Sequence, residues 1–225
     1  AATFSAFLTR AYDFIRMAQY SRSNIKIVGS HSGINIGPDG PSQMGLEDIS
    51  MFLAMPNSTI LYPSDVVSTE YLVKEMAKQQ GICYLRTTRD KTNILYDHDE
   101  KFPIGGLKVL RKSTKDKALV IAAGITVHEA LKAYELLKKQ GVNIRVIDLY
   151  SVKPIDKNQI LANAKSCKNN VIVVEDHYFN GIGSVVRQIV GKIKHLYVKE
   201  IPHSGKPAEL MRKYGIDAEE IVKRI

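Results

Sequence analysis

No apolar run in this chain approaches the roughly 20 residues that crossing a bilayer requires, so the sequence contains no membrane-spanning helix. The opening stretch AATFSAFLTRAYDFIRM is partly apolar, but Arg10, Asp13 and Arg16 interrupt it at helical intervals. It reads as an amphipathic core helix and as neither a signal peptide nor an anchor. Cysteine is scarce. Cys83 and Cys167 are the only two, far apart and without paired spacing, which excludes a disulfide framework. Cys83 sits in an apolar run and reads as a buried free thiol, which fits a reducing compartment. Low-complexity tracts and fixed-period repeats are missing as well, which removes disordered tails and solenoids.

What is present is ordinary soluble composition with one imbalance. Over 225 residues, 44% are hydrophobic and 24% charged, enough for one large domain or two modest ones. The formal charge is +9, which would suit either nucleic acid or phosphorylated metabolites. The lysines are spread through KVLRKSTKDK, ELLKKQG and GKIKHLYVKE and mixed with acids. No aromatic residues interleave with them in the manner that stacks bases, so a solvated surface is the better reading and no nucleic-acid partner is expected.

Strand and helix patterns alternate along the chain. Apolar positions Phe4, Phe7, Leu8, Ala11, Ile15 and Ala18 predict a helix over 3–20. A strand IKIVG (25–29) follows, then a turn-rich loop SHSGINIGPDGPS (30–42), a helix near 45–54 and a strand STILY (58–62). Ser64 or Asp65 caps a helix reaching about Lys78, and ICYLRT (82–87) closes the first unit. Residues 88–106 have the composition of a linker. Beyond it come the strands GLKVLRK, ALVIAAG (118–124), NIRVIDL, NVIVVED (170–176) and HLYVKEI. A helix after Gly124 carries a Thr126–Glu129 capping-box pattern and ends at Gly141. Further helices are expected near 156–165, from about Ser184, and twice at the end.

Continuous apolar strands separated by helices predict an α/β fold with mostly parallel sheets covered on both faces. The second unit, with five strands, looks whole. The first offers about three and opens on an apolar helix, so it is expected to be the rear of a larger domain.

Ligands of open α/β sheets bind beyond the carboxyl ends of the strands, which singles out GSHSGINIGPDGPSQMGLED after strand 25–29. Among its glycines stand His31, Asp39 and Gln43. A charged histidine can hold an anionic oxygen, and an aspartate can accept from sugar hydroxyls. A turn-rich connector with incidental polar groups fits that composition equally well. Phe4 and Phe7, at i and i+3, could grip a flat heterocycle or be plain core residues. Arg89, just past a strand's carboxyl end, suits phosphate recognition or an exposed place in a linker. Asp176 and His177, also at a strand end, invite a catalytic reading. Ser204, Gly205 and Lys206 hint weakly at an anion-binding turn.

The loop and its continuation, GSHSGINIGPDGPSQMGLEDISMFLAMPNSTILYPSD, resemble the transketolase family. So do TFSAFLTRAYDFIRM, TVHEALKAYELLKKQGVNIRVIDLYSVKPID, VEDHYFNGIGSVV and SGKPAELMRKYGI, in collinear order over the whole chain. The animal-type branch is the most similar, through GPSQM. The resemblance implies residues 1–90 as the rear of a thiamine-diphosphate pyrimidine-binding domain, 91–106 as linker and 107–225 as the C-terminal domain. It implies transfer of a two-carbon ketol unit from a ketose phosphate to an aldose phosphate, in the cytoplasm and the pentose phosphate pathway.

On that resemblance Phe4 and Phe7 line the aminopyrimidine ring, His31 and Gln43 are the catalytic positions, and His31, Asp39 and Arg89 bind substrate. Gln43 stands where other branches carry a histidine, and Pro38 where the family usually has glutamate. The family's chemistry lies away from Asp176 and His177, which implies a structural or dimer-contact role for both. The cofactor-activating glutamate and the motif for Mg2+ (or Ca2+) would lie outside this chain, which carries no metal ligands. An inactive isolated chain, a missing N-terminal part and a homodimeric parent enzyme are expected. A deoxyxylulose-phosphate-synthase-like portion and a non-catalytic module on the same fold are the alternatives.

Overall fold

The computed structural model describes residues 1–225. The chain opens with a strand, β1 (Ala2–Phe4), and a short 3-10 turn, Ser5–Phe7, before helix α1 (Leu8–Tyr20) begins. The helix expected over 3–20 therefore starts late. Pairing wins over periodicity here, because β1 adds in parallel to β2 (Lys26–Ser30), matching Phe4 to Ser30. Next come α2 (Asp48–Leu53), β3 (Thr59–Leu61), α3 (Val66–Lys78) and β4 (Cys83–Arg86).

The second unit contains β5 (Lys108–Arg111), β6 (Leu119–Ala122), α4 (Ile125–Lys139), β7 (Arg145–Asp148) and β8 (Ser151–Lys153). It continues with α5 (Lys157–Ser166), β9 (Val171–Val174), α6 (Ile182–Val190), β10 (Lys194–Leu196), α7 (Pro207–Lys213) and α8 (Ala218–Lys223).

Two five-stranded sheets result, ordered β1-β2-β4-β3-β8 and β10-β9-β6-β7-β5. Both are parallel except at one edge, where β8 and β5 run antiparallel to their neighbours. The second sheet has the five strands expected. The first has five where about three were expected, because β1 was read as helix and β8 comes from the second unit. Every residue of β4, β6 and β9 is buried, as the apolar runs require of strands covered on both faces.

Local chemistry sets the helix starts. At α3 the Asp65 carboxylate accepts from Ser68 N at 2.8 Å while Ser68 Oγ accepts from Asp65 N at 3.1 Å, a reciprocal cap worth about 1 kcal/mol. The capping box expected at Thr126 and Glu129 does not form. Helix α4 starts at Ile125 behind Gly124, and Thr126 Oγ1 instead donates to Ala123 O and Val174 O. Glu129 accepts from Ala218 N at 3.0 Å. Gly124, at φ +56°, lies so close to the Tyr62 ring that a Cβ would stand 1.9 Å from it. Glycine is the residue that permits this contact between the two units.

One apolar cluster runs through both units, joining Ile49, Phe52, Tyr62 and Tyr84 to Leu119, Ile121, Ile147 and Val173. The polar stretch between the units is anchored as well. Phe102 is fully buried, edge-to-face with Tyr96 at 4.7 Å and Tyr150 at 5.2 Å. Asp65 accepts from Leu95 N and Tyr96 N at 2.9 and 3.2 Å. No helix is long and apolar enough to cross a membrane. Both cysteines are buried free thiols.

Candidate functional site

The loop from His31 to Leu46 leaves the carboxyl end of β2 and is closed at its neck by backbone bonds. Ser32 N donates to Thr87 O at 3.1 Å and Gly33 N to Gly45 O at 2.9 Å. His31 sits at φ +57°, a left-handed conformation that histidine adopts more readily than most side chains. Its ring stacks on Phe4 with centroids 3.9 Å apart, and Phe4 stacks on Phe7 at 5.4 Å, the two planes 6° from parallel. The expectation that Phe4 and Phe7 share a face of one helix fails, since Phe4 is in β1. The rings meet anyway, because the 3-10 turn folds Phe7 back beside the strand. Phe7 stays 44% exposed, so the end of the three-ring stack is open to a flat partner.

His31 Nδ1 lies 2.9 Å from Ser30 Oγ, and Nε2 makes no hydrogen bond within the chain. Asp39 and Arg89, 50 residues apart in sequence, form an ion pair with Nη1 2.8 Å from Oδ1. Arg89 Nη1 also donates to Ile36 O at 3.2 Å. Both side chains are a third or more exposed, so this pair is worth at most about 1 kcal/mol, and an anion could displace Asp39 at small cost. Gln43 is half-buried, held through its backbone to Gly40 O at 3.1 Å, and has no hydrogen bond to His31, Asp39 or Arg89. The structure thus makes two groupings of the expected residues, His31–Phe4–Phe7 and Asp39–Arg89, with Gln43 apart.

Sequence reasoning missed the buried polar network behind this loop. Arg86, the last residue of β4, is fully buried with its guanidinium over the Tyr62 ring at 4.6 Å. Its Nε donates to Asp48 Oδ2 at 2.8 Å, and its Nη2 donates to Gly45 O and Asp176 O at 2.8 and 2.9 Å. Tyr84 also donates its hydroxyl to Asp48. Burial pushes Asp48 upward, but the Arg86 charge and the hydrogen bonds from Arg86 and Tyr84 outweigh it and hold its carboxyl below the usual range. Asp176 goes the other way, pushed up to about 6 because burial outweighs the attraction of Arg86.

Burial also pushes His177 down, so it is neutral at pH 7. Its Nδ1–H donates to Tyr178 O at 2.9 Å, and Nε2 stands 3.5 Å from Asp48. One signal was available in the sequence: an arginine ending an otherwise apolar strand must find a carboxylate once buried. Asp176 and His177 are both fully buried within this chain. The Ser204–Lys206 turn packs on the loop, with Ser204 Oγ against Gly40 and Gly205 N 3.4 Å from Gly37 O. No group of three histidine, cysteine or acidic side chains is placed to hold a metal ion.

Tandem, mostly parallel sheets with a polar loop at the carboxyl ends of the first define a two-unit α/β module. Comparison with family models matches residues 1–94 to the transketolase pyrimidine-binding domain and 107–221 to the transketolase C-terminal domain. The chain belongs to the transketolase family, whose cofactor is thiamine diphosphate. It is 50% identical over 230 residues to human transketolase, matching all of this chain and 37% of that protein. Transketolase-like protein 1 of Bos taurus is 51% identical over 99% of this chain and 38% of its own length. The chain therefore spans little more than a third of these relatives.

Among solved structures, a split gene transketolase described as an inactive beta4 tetramer superposes with a TM-score of 0.88 at 30% identity. That match covers all of this chain and 73% of the other. Transketolase from Campylobacter jejuni shares the fold, at TM-score 0.83 and 23% identity over 99% of this chain and 34% of its own.

Proposed function

We propose that this chain supplies the pyrimidine-facing and substrate-facing walls of a thiamine-diphosphate-dependent ketol transferase. The enzyme moves a two-carbon ketol unit from a ketose phosphate to an aldose phosphate. The observation that carries the reading is the three-ring stack ending in the half-exposed Phe7, with its His31 on a loop whose Asp39 forms a weak, exposed pair with Arg89. Phe4 and Phe7 fit an aminopyrimidine ring. When bound, the cofactor supplies a nucleophilic carbon and an electron sink that no side chain offers.

The chain's own residues bind and orient. Arg89 exchanges Asp39 for the substrate phosphate, and the released Asp39 accepts from a sugar hydroxyl. Gln43 hydrogen-bonds but cannot carry a proton, so proton exchange falls to His31 Nε2. Residues 1–90 form the rear of the pyrimidine-binding domain, 91–106 the linker and 107–225 the C-terminal domain. The remaining enzyme, with the ligands for Mg2+ or Ca2+, lies outside these 225 residues, and the assembly is a cytoplasmic homodimer of the pentose phosphate pathway.

Arg89→Ala in the complete enzyme should raise the KM for phosphorylated sugars about ten- to a hundredfold and affect unphosphorylated ketose donors far less. Equal losses on both substrate types would remove the phosphate role. The 225 residues alone should show no turnover of xylulose 5-phosphate with ribose 5-phosphate, since they span a third of a transketolase. They should also bind thiamine diphosphate weakly, because the diphosphate and metal contacts, which are charge-assisted, lie elsewhere. Calorimetric titration with thiamine diphosphate and magnesium checks this, and micromolar binding would sink the division of labour proposed here.

A further inference from the structure

The second unit holds the His31–Leu46 loop at several points along its length. Near its start, Ile34 N donates to Asp176 Oδ1 at 2.8 Å. Gly33, at φ +75°, approaches so closely that a Cβ there would stand 1.9 Å from Asp176 Oδ2, so side chain and loop are in full contact. In its middle, Gly205 N reaches Gly37 O, a Cβ on Gly37 would meet Gly205 O at 2.9 Å, and one on Gly40 would meet Ser204 Oγ at 2.5 Å. At its end, Tyr178 N donates to Leu46 O at 3.2 Å. Arg86 Nη2 closes the arrangement by donating to both Gly45 O and Asp176 O. Asp176 is thus the one residue that engages both ends, with its carboxylate on Ile34 and its carbonyl on the guanidinium that holds Gly45.

A fully buried aspartate with one carboxylate oxygen spent on a loop amide, the other without a hydrogen bond, and no ion pair is costly to keep. A cost of that kind persists where the surrounding geometry has a use for it. The fastened segment is the one carrying His31, Asp39 and Gln43, and misplacing such groups by about 1 Å weakens binding severely.

We propose that the C-terminal unit sets substrate affinity by clamping this loop, with Asp176 as the positioning residue and the Ser204–Pro207 turn as the brace; the proposal rests on the ketol-transfer reading above for what the loop binds.

The test compares Asp176→Ala, which removes the acceptor, with Asp176→Asn, which keeps one, in the complete enzyme. Read by hydrogen–deuterium exchange, amides of residues 33–45 should exchange about tenfold faster in the alanine variant. Amides of β6 and β7 should keep the wild-type rate, and the asparagine variant should recover most of the loop's protection. The alanine variant should also raise the KM for the sugar phosphate about tenfold with kcat changed less than about twofold, and asparagine should recover most of that loss. Unchanged loop exchange, uniform acceleration through both sheets, or failure of both variants to fold would each overturn the assignment. The exchange measurement needs no turnover. A complete wild-type enzyme without ketol transfer, whose alanine variant nonetheless loosens the loop, sinks the ketol-transfer reading and leaves the clamp, whereas an active variant with a loosened loop and unaltered KM sinks the clamp's role in affinity.

Discussion

Asp48→Ala should lower the free energy of unfolding by about 3–5 kcal/mol in urea titration, the cost of stranding a buried charge. Arg86 would keep its bonds to Gly45 O and Asp176 O but lose the carboxylate that balances it in a site with no solvent access. Tyr84 would lose the acceptor for its buried hydroxyl at the same time. Removing both charges is a different matter. In the double variant Asp48→Leu with Arg86→Met, the loss should be far smaller than the sum of the single losses, because no ion is left without a partner. Additive losses would show that the pair does not balance itself. For contrast, Asp39→Ala at the exposed pair should cost at most about 1 kcal/mol, although the two ion pairs have the same 2.8 Å separation. Burial, and not distance, separates the two cases.

The second large effect is a pH dependence that runs against the usual acid denaturation. Asp148 ends β7 with both oxygens buried. One accepts from Ser64 Oγ and from Tyr96 OH at 2.6 Å, and the other has no partner. Burial pushes this carboxyl up to about 7, with the two hydroxyls only partly opposing it. Unfolded, the group titrates at about 3.9. Between those values the folded chain holds a proton that the unfolded chain has released, so raising the pH weakens the fold.

The stabilising contribution is whole below about pH 4 and gone above about pH 7. Wild type should therefore lose on the order of 3 kcal/mol relative to Asp148→Asn between pH 5 and pH 8. Asp176, pushed up to about 6, adds the same sign, while His177, pushed down by burial, opposes it below its ordinary range. Comparing wild type with Asp148→Asn at each pH isolates Asp148, since the other two groups are common to both chains. Parallel stability curves would show that the carboxyl is charged throughout.

How much of this was legible depended on whether the cause was local. Strands β6 and β9 announce themselves as short apolar runs, and Asp65 announces the helix it caps. Strand β1 did not, because Phe4, Phe7 and Leu8 fall into step with the helix that follows. Only the distant Lys26–Ser30 strand makes Ala2–Phe4 extended. Strand β8 is three residues long and pairs about 90 positions upstream, which leaves no pattern to read.

The site divides in the same way. A glycine-rich turn at a strand end displayed His31, Asp39 and Gln43, whereas the bond from Asp39 to Arg89 spans 50 residues and had no local trace. Arg86 ends a buried strand while Arg89, three residues on, is partly exposed, and apart from the apolar run before Arg86 no local pattern in the sequence separates the two. Residues 88–106 have the polar composition of a linker, yet Tyr96 and Phe102 within them are buried anchors.

By sequence β8 belongs to the second unit, but its hydrogen bonds lie with β3, and Tyr62 N donates to Tyr150 O just before it at 2.8 Å. Any chimera joined near residue 107 therefore exchanges the outer strand of the first sheet along with the second. A foreign C-terminal half must bring its own match for Ile60 and Leu61, and it must also keep a glycine where Gly124 meets the Tyr62 ring. Without that match β3 becomes a bare edge, open to pairing with other chains. The two halves are thus expected to have diversified as one inherited block, with substitutions on either side of the 60–62 and 150–153 seam tolerated chiefly in compensating pairs.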